Sequence, residues 1–121
     1  MDLLLTRAKK AMAQENFAAA RVHLAALNRL APDFAEGWNA SATLRFMQED
    51  FARSVLEIER ALALEPRHFS AMTGLGLILE HTGDKAGALK AWREVAKLYP
   101  ALERAQEAIE RLTPEVDGRE L

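Results

Sequence analysis

Cysteine is absent from the 121-residue chain, which excludes disulfides and thiolate catalysis and leaves the redox compartment unmarked. An excess of either charge is also missing. Sixteen lysines and arginines against 18 aspartates and glutamates give a formal charge of −2 and an isoelectric point near 5.9. Such a balance carries no electrostatic footprint for DNA, RNA or an anionic membrane. Long apolar runs are lacking: stretches such as Leu3-Leu4-Leu5 fall far short of the roughly 20 residues that span a bilayer. Met1 is not followed by a basic segment and an apolar core ending in a cleavage site, so no signal peptide is visible. That favours a cytoplasmic location, with the periplasm open to a chain whose upstream sequence has been removed. What is present is ordinary for a folded domain: half of the residues are hydrophobic and 28% are charged.

Proline is scarce, but three of the four prolines are evenly placed. Pro32, Pro66 and Pro100 lie 34 residues apart (66 − 32 and 100 − 66), and each closes an apolar run. Three rows of that length align in columns. Ala8, Ala42 and Gly76 form a column of small residues, and Ala20, Ser54 and Ala88 form a second. Large apolar residues fill Leu4, Trp38 and Met72, and again Leu24, Ile58 and Trp92. Leu30, Leu64 and Leu98 each precede the proline by two positions. Small residues at matched positions let two helices approach closely, while large ones fill the space beside them.

Each row divides into two helical stripes. Leu4, Ala8 and Ala11 share a face, as do Phe17, Ala20, Leu24 and Leu27. Short polar turns at Glu15-Asn16, Glu49-Asp50 and Gly83-Asp84 separate the members of a pair. Gly83 suits the left-handed conformation that ends a helix, and Asp84 suits the cap of the next. Each proline removes a backbone donor and biases the residue before it away from helix. The spacing predicts helices near 2–13, 17–30, 35–48, 51–64, 69–82, 85–98 and 101–112. The last places Ala105, Ala108, Ile109 and Leu112 on one face with charges elsewhere, as a cap over a final apolar surface requires. Thr113-Pro114 is expected to end it and to leave 113–121 as a flexible tail. One domain over 1–112 is the expected organisation. No matching cap precedes Met1, so the first row is expected either to start abruptly or to have lost upstream sequence.

These columns resemble the tetratricopeptide repeat, whose 34-residue helix–turn–helix unit matches 1–34, 35–68 and 69–102. The second row carries Trp38, Ala42, Phe51, Ala61 and Pro66; the third carries Leu75-Gly76, Gly83-Asp84, Ala88 and Pro100. The phrases EGWNASATL and ALEPRHFSAMTGLGLI are also similar to bacterial members of the family. Leu27, Ser54 and Lys85 depart from the pattern, which implies local repacking. The resemblance implies an all-α fold: a right-handed superhelical solenoid of three helix pairs plus one capping helix. Its structural positions would be Ala8, Ala20, Pro32, Trp38, Ala42, Pro66, Gly76, Ala88 and Pro100.

Candidate chemistry is thin. His23, His68 and His81 occupy different parts of the repeat without a second ligand at helical spacing, so solvated or locally bonded histidines are the ordinary reading. Glu80, His81 and Asp84 are interrupted by a helix end. Gly74-Leu75-Gly76 follows no strand, which makes it a packing feature and not a phosphate loop. Ser41, Ser54 and Ser70 lack a strand-to-helix elbow. No catalytic residue, metal site or cofactor is expected.

What the resemblance leaves is a surface. In the family the first helix of each pair lines a concave groove that holds partner peptides. Here that lining would be Leu5, Lys9 and Met12, then Asn39, Thr43, Phe46 and Met47, then Ser70, Thr73, Leu77, Glu80 and His81. The expected function is a non-catalytic module that binds a peptide or helix of a partner protein, as a scaffold or assembly factor. Self-association into homo-oligomers through Leu3, Leu4 and the groove is the alternative. No nucleic acid or membrane insertion is expected. Family members that clamp acidic chaperone tails use lysines, an arginine and asparagines, where this chain has Leu5, Lys9, Ala40, Ser70 and Gly74. A bidentate carboxylate clamp cannot be built from those side chains, so such tails are not expected as ligands.

Overall fold

The computed structural model describes residues 2–118. Its seven helices are α1 (Asp2–Ala13), α2 (Phe17–Leu30), α3 (Ala35–Met47), α4 (Phe51–Leu64), α5 (Phe69–His81), α6 (Lys85–Leu98) and α7 (Glu103–Asp117). The described residues contain no strand.

The turns repeat with the sequence. Glu15, Glu49 and Gly83 all take positive φ, at 57°, 60° and 90°. The amides of Asn16, Asp50 and Asp84 then donate back to Ala11, Arg45 and Leu79 carbonyls at 2.8–2.9 Å. This six-to-one bond is the left-handed helix stop. The same three polar residues cap the following helix, with side-chain oxygens accepting from the amides of Ala19, Arg53 and Gly87. One short polar side chain thus ends one turn and starts the next helix.

The proline joints are equally regular. Ala31, Glu65 and Tyr99, each just before a proline, leave the helical region at φ near −135° to −141° or −133°. Their carbonyls accept from Phe34, His68 and Leu102 amides at 3.0–3.1 Å, a turn with proline at its second position. In the first joint the indole Nε1 of Trp38 donates to the Pro32 carbonyl at 2.8 Å. In the third, Gln106 Nε2 donates to the Pro100 carbonyl. Met72 occupies the same place after the second joint and has no donor to offer.

The chain divides into two compact units, Met1–His68 and Phe69–Leu121. The first holds the α1–α2 and α3–α4 pairs. Ala8, Ala20, Leu24, Leu27 and Leu44 are among its buried residues, with Leu4, Leu5 and Phe17 packed against them. Ala42 and Ser54 are also buried, and the Ser54 hydroxyl donates to the Ala42 carbonyl at 2.7 Å. That bond accounts for serine in a column otherwise filled by alanine. The second unit holds α5, α6 and α7. Gly76 lies against the buried indole of Trp92, and α7 covers α6 with Ala105, Ala108 and Leu112.

Helix α7 does not stop at Leu112 as its sequence suggests. It continues through Pro114 to Asp117. Proline removes only the bond to the exposed Glu110 carbonyl, and Thr113 donates its hydroxyl to the Ile109 carbonyl at 2.6 Å. Lys85 of α6 pairs with Glu115 at 3.2 Å, so the extra turn is tied to its neighbour. Residues 113–117 are therefore helix, and 119–121 lie outside the described residues.

Candidate functional site

Helix α3 is covered on three sides, by α1, α2 and α4. Only its C-terminal portion leaves the packing, which presents Phe46 and Met47 at 37% and 39% exposure. Phe46 leans on Phe51, with ring centroids 5.5 Å apart and planes tilted by 60°. Thr43 is exposed too, but its hydroxyl donates to the Asn39 carbonyl at 3.1 Å. On α1, Leu5 is half-buried against the core and Lys9 is exposed. Leu3 is exposed as well, whereas Leu4 packs inward.

Two first-unit residues expected on the surface are buried. Met12 joins Ala8 and Leu24 in the core, and Asn39 lies in the covered half of α3. In the second unit Thr73 is buried, and its hydroxyl turns onto the Phe69 and Ser70 carbonyls of its own helix. Leu77, at 46%, is an exposed apolar residue of α5, as is Phe69, with Ser70 and His81 also exposed. Glu80 is taken up by Arg111 of α7 through both carboxylate oxygens. The carboxylate raises the pKa of that guanidinium further above its ordinary value, and a charged ligand would have to compete with this pair.

His68 is locally bonded. It is buried, and its Nε2 lies 3.0 Å from the Glu36 carboxylate, which joins the second proline turn to the start of α3. Among the described residues no three His, Asp or Glu side chains are grouped to hold a metal. No described helix is long and apolar enough to cross a membrane.

Two concavities lie away from the expected lining. In the first unit a hollow of about 460 Å³ is walled by Arg21, Ala25 and Arg29 of α2, by Trp38 and Arg45 of α3, and by Glu57 of α4. Arg45 pairs with Glu57 at 2.8 Å, and Arg60 stacks 4.3 Å from the centre of the Trp38 ring. In the second unit an apolar cleft of about 500 Å³ is formed by Phe69, Tyr99 and Pro100 to Leu102. Its two rings meet edge to face at 4.8 Å. The first hollow is not legible in one row of the repeat, because it is assembled from side chains of three helices; the second lies within the third row, where Phe69 of α5 meets the joint at 99–102.

Paired helices, left-handed stops and proline joints in a fixed period define a helical-repeat protein. The chain belongs to the tetratricopeptide repeat family, whose model matches residues 39–103, and its fold is an all-α helical-repeat solenoid. A TPR repeat-containing protein of Rhizobium etli is 38% identical over 118 residues, covering 98% of this chain and 58% of that protein. The chain thus spans little more than half the length of this curated relative. Among solved structures, the first TPR domain of Spaghetti (RPAP3), bound to the HSP90 peptide SRMEEVD, is similar with a TM-score of 0.87 at 17% identity. That match covers 95% of this chain and 91% of the other. MamA is similar with a TM-score of 0.87 at 24% identity, covering 97% of this chain and 68% of that one. At these identities the likeness is one of fold.

Proposed function

We propose that the protein is a non-catalytic protein-interaction module that binds an apolar peptide or helix of a partner protein through the exposed ends of its first helices. The observation that carries this reading is the exposure of Phe46 and Met47 at the end of α3, where the family's first helices meet ligand. An aromatic ring beside a flexible thioether suits an adaptable apolar contact. Leu77 supplies a similar side chain on α5. The solved relative bound to an HSP90 peptide supports peptide binding as the mode. The acidic character of that peptide does not transfer, since of Leu5, Lys9, Ala40, Ser70 and Gly74 only Lys9 is cationic. Self-association, the second reading, would use the exposed Leu3 of α1 together with the same groove.

Affinity capture from cells of the source organism tests the proposal, with Phe46→Ala compared against Glu59→Ala, an exposed change on α4. Phe46→Ala is expected to lose the captured partner while staying folded, and Glu59→Ala to retain it. Equal capture by both variants would remove the α3 end from the binding surface.

A further inference from the structure

The hollow of the first unit has more positive charge than it uses. Of its three arginines, Arg45 is neutralised by Glu57, whereas Arg21 and Arg29 stand exposed on α2 with no acidic side chain paired to them among the described residues. Eight residues separate them, about 12 Å along the helix at roughly 1.5 Å per residue. Between and beneath them the lining is largely apolar, with Leu24, Ala25, Trp38 and Leu44. An occupant must bring two or more carboxylates spaced by about two helical turns on aliphatic stems that can lie on that floor.

The same chain carries such a surface. Glu103, Glu107 and Glu110 sit at i, i+4 and i+7 of α7, opposite its buried face of Ala105, Ala108 and Leu112, and all three are exposed. They span about 10 Å by the same helical rise. The stripe itself is acidic, and the arginines beside it have partners of their own, although Glu107 also lies within reach of the Arg111 charge. Arg111 holds Glu80, and Arg104 lies over the Trp92 ring at 5.8 Å.

We infer that the arginine-lined hollow of the first unit receives helix α7 of a second copy of this chain, with Arg21 and Arg29 meeting Glu103, Glu107 and Glu110. Donor and acceptor surfaces differ, so the contact is heterologous and propagates head to tail unless a ring closes. Being exposed and ionic, it weakens as salt shortens the screening length from about 10 Å at 0.1 M to about 3 Å at 1 M. Phe46 and Met47 are not among the residues that line the hollow.

The test is the solution mass of the full chain from micromolar to millimolar concentration, by light scattering and sedimentation. In low salt the mass should rise above the 13.5 kDa of one chain, and in about 1 M salt it should return to that value. Arg21→Glu with Arg29→Glu, and separately Glu107→Lys with Glu110→Lys, should each abolish the rise. Circular dichroism should show both variants folded, and the neutral pair Arg21→Gln with Arg29→Gln replaces the first if reversal unfolds it. An equimolar mixture of the two reversed variants should assemble again, since each then presents the charge the other lost. A chain that stays at 13.5 kDa throughout would overturn the inference, even if its hollow bound a poly-glutamate peptide. Assembly that survives both reversals would overturn it equally, because the copies would then be meeting elsewhere.

Discussion

Replacing Gly76 with alanine isolates the packing of the second unit. A methyl group there would lie 2.7 Å from Cε2, 2.8 Å from Nε1 and 3.1 Å from Cδ2 of Trp92, against about 3.5–4.0 Å for an ordinary carbon contact. The obstacle is the body of a ring that is 1% exposed, so it cannot swing into solvent. Two effects compete. Alanine in a helix interior gains about 1 kcal/mol over glycine, while overpacking a tight core costs about 1–3 kcal/mol. The ring's burial decides for the second, and a net loss of about 1–2 kcal/mol is expected. Thermal melting would register this as a fall of several degrees. In the Trp92→Leu background the flat ring that faces the methyl is gone, and the penalty should shrink by about 0.5 kcal/mol or more in a double-mutant cycle. A Gly76→Ala protein as stable as the parent would refute this register of α5 on α6. Gly37 makes a contrast: its first obstacle is the side-chain oxygen of Asn28 at 2.5 Å, which can rotate, so Gly37→Ala should cost far less.

The repeated turns give a sign test. Glu49→Gly should stabilise by about 0.5 kcal/mol, because a non-glycine residue at its φ of 60° is strained, whereas Gly83→Ala at φ 90° should cost about 1 kcal/mol; chemical denaturation reads both. Ser54→Ala deletes a buried bond of 2.7 Å to Ala42 and should cost about 0.5–1.5 kcal/mol by the same assay; an unchanged midpoint would show that the bond adds nothing. Deleting 103–121 uncovers the face of α6 that Ala105, Ala108 and Leu112 bury and should cause aggregation visible by light scattering. A truncated monomer of undiminished melting temperature would show that α7 is not a cap.

The legible part of the fold is what recurs. Pro32, Pro66 and Pro100 mark the joints, and Asn16, Asp50 and Asp84 mark the inner turns, because local backbone chemistry repeats wherever the residue types do. Glu15 and Glu49 are less readable: only Gly83 advertises a left-handed residue, yet all three turns adopt one. Proline misleads at Pro114, where an exposed acceptor and the Lys85–Glu115 pair let the helix continue. The candidate surface is legible only in part. Helical spacing puts Met12, Asn39 and Thr73 beside Phe46 and Leu77, but burial depends on how many neighbours cover each turn, and α3 has three. The Arg111–Glu80 pair and the Trp38–Pro32 bond join residues that no single-helix pattern relates.

Photo-crosslinking inside the cell tests the central claim most directly. A photoreactive amino acid is placed singly at Met47 and Leu77 on the first helices, and at Glu59 and Lys90 on the second helices of the same pairs. Met47 and Leu77 should each yield a crosslink to one and the same partner protein, and Glu59 and Lys90 should not. Crosslinks to that partner from Glu59 and Lys90 alone would contradict binding through the first helices.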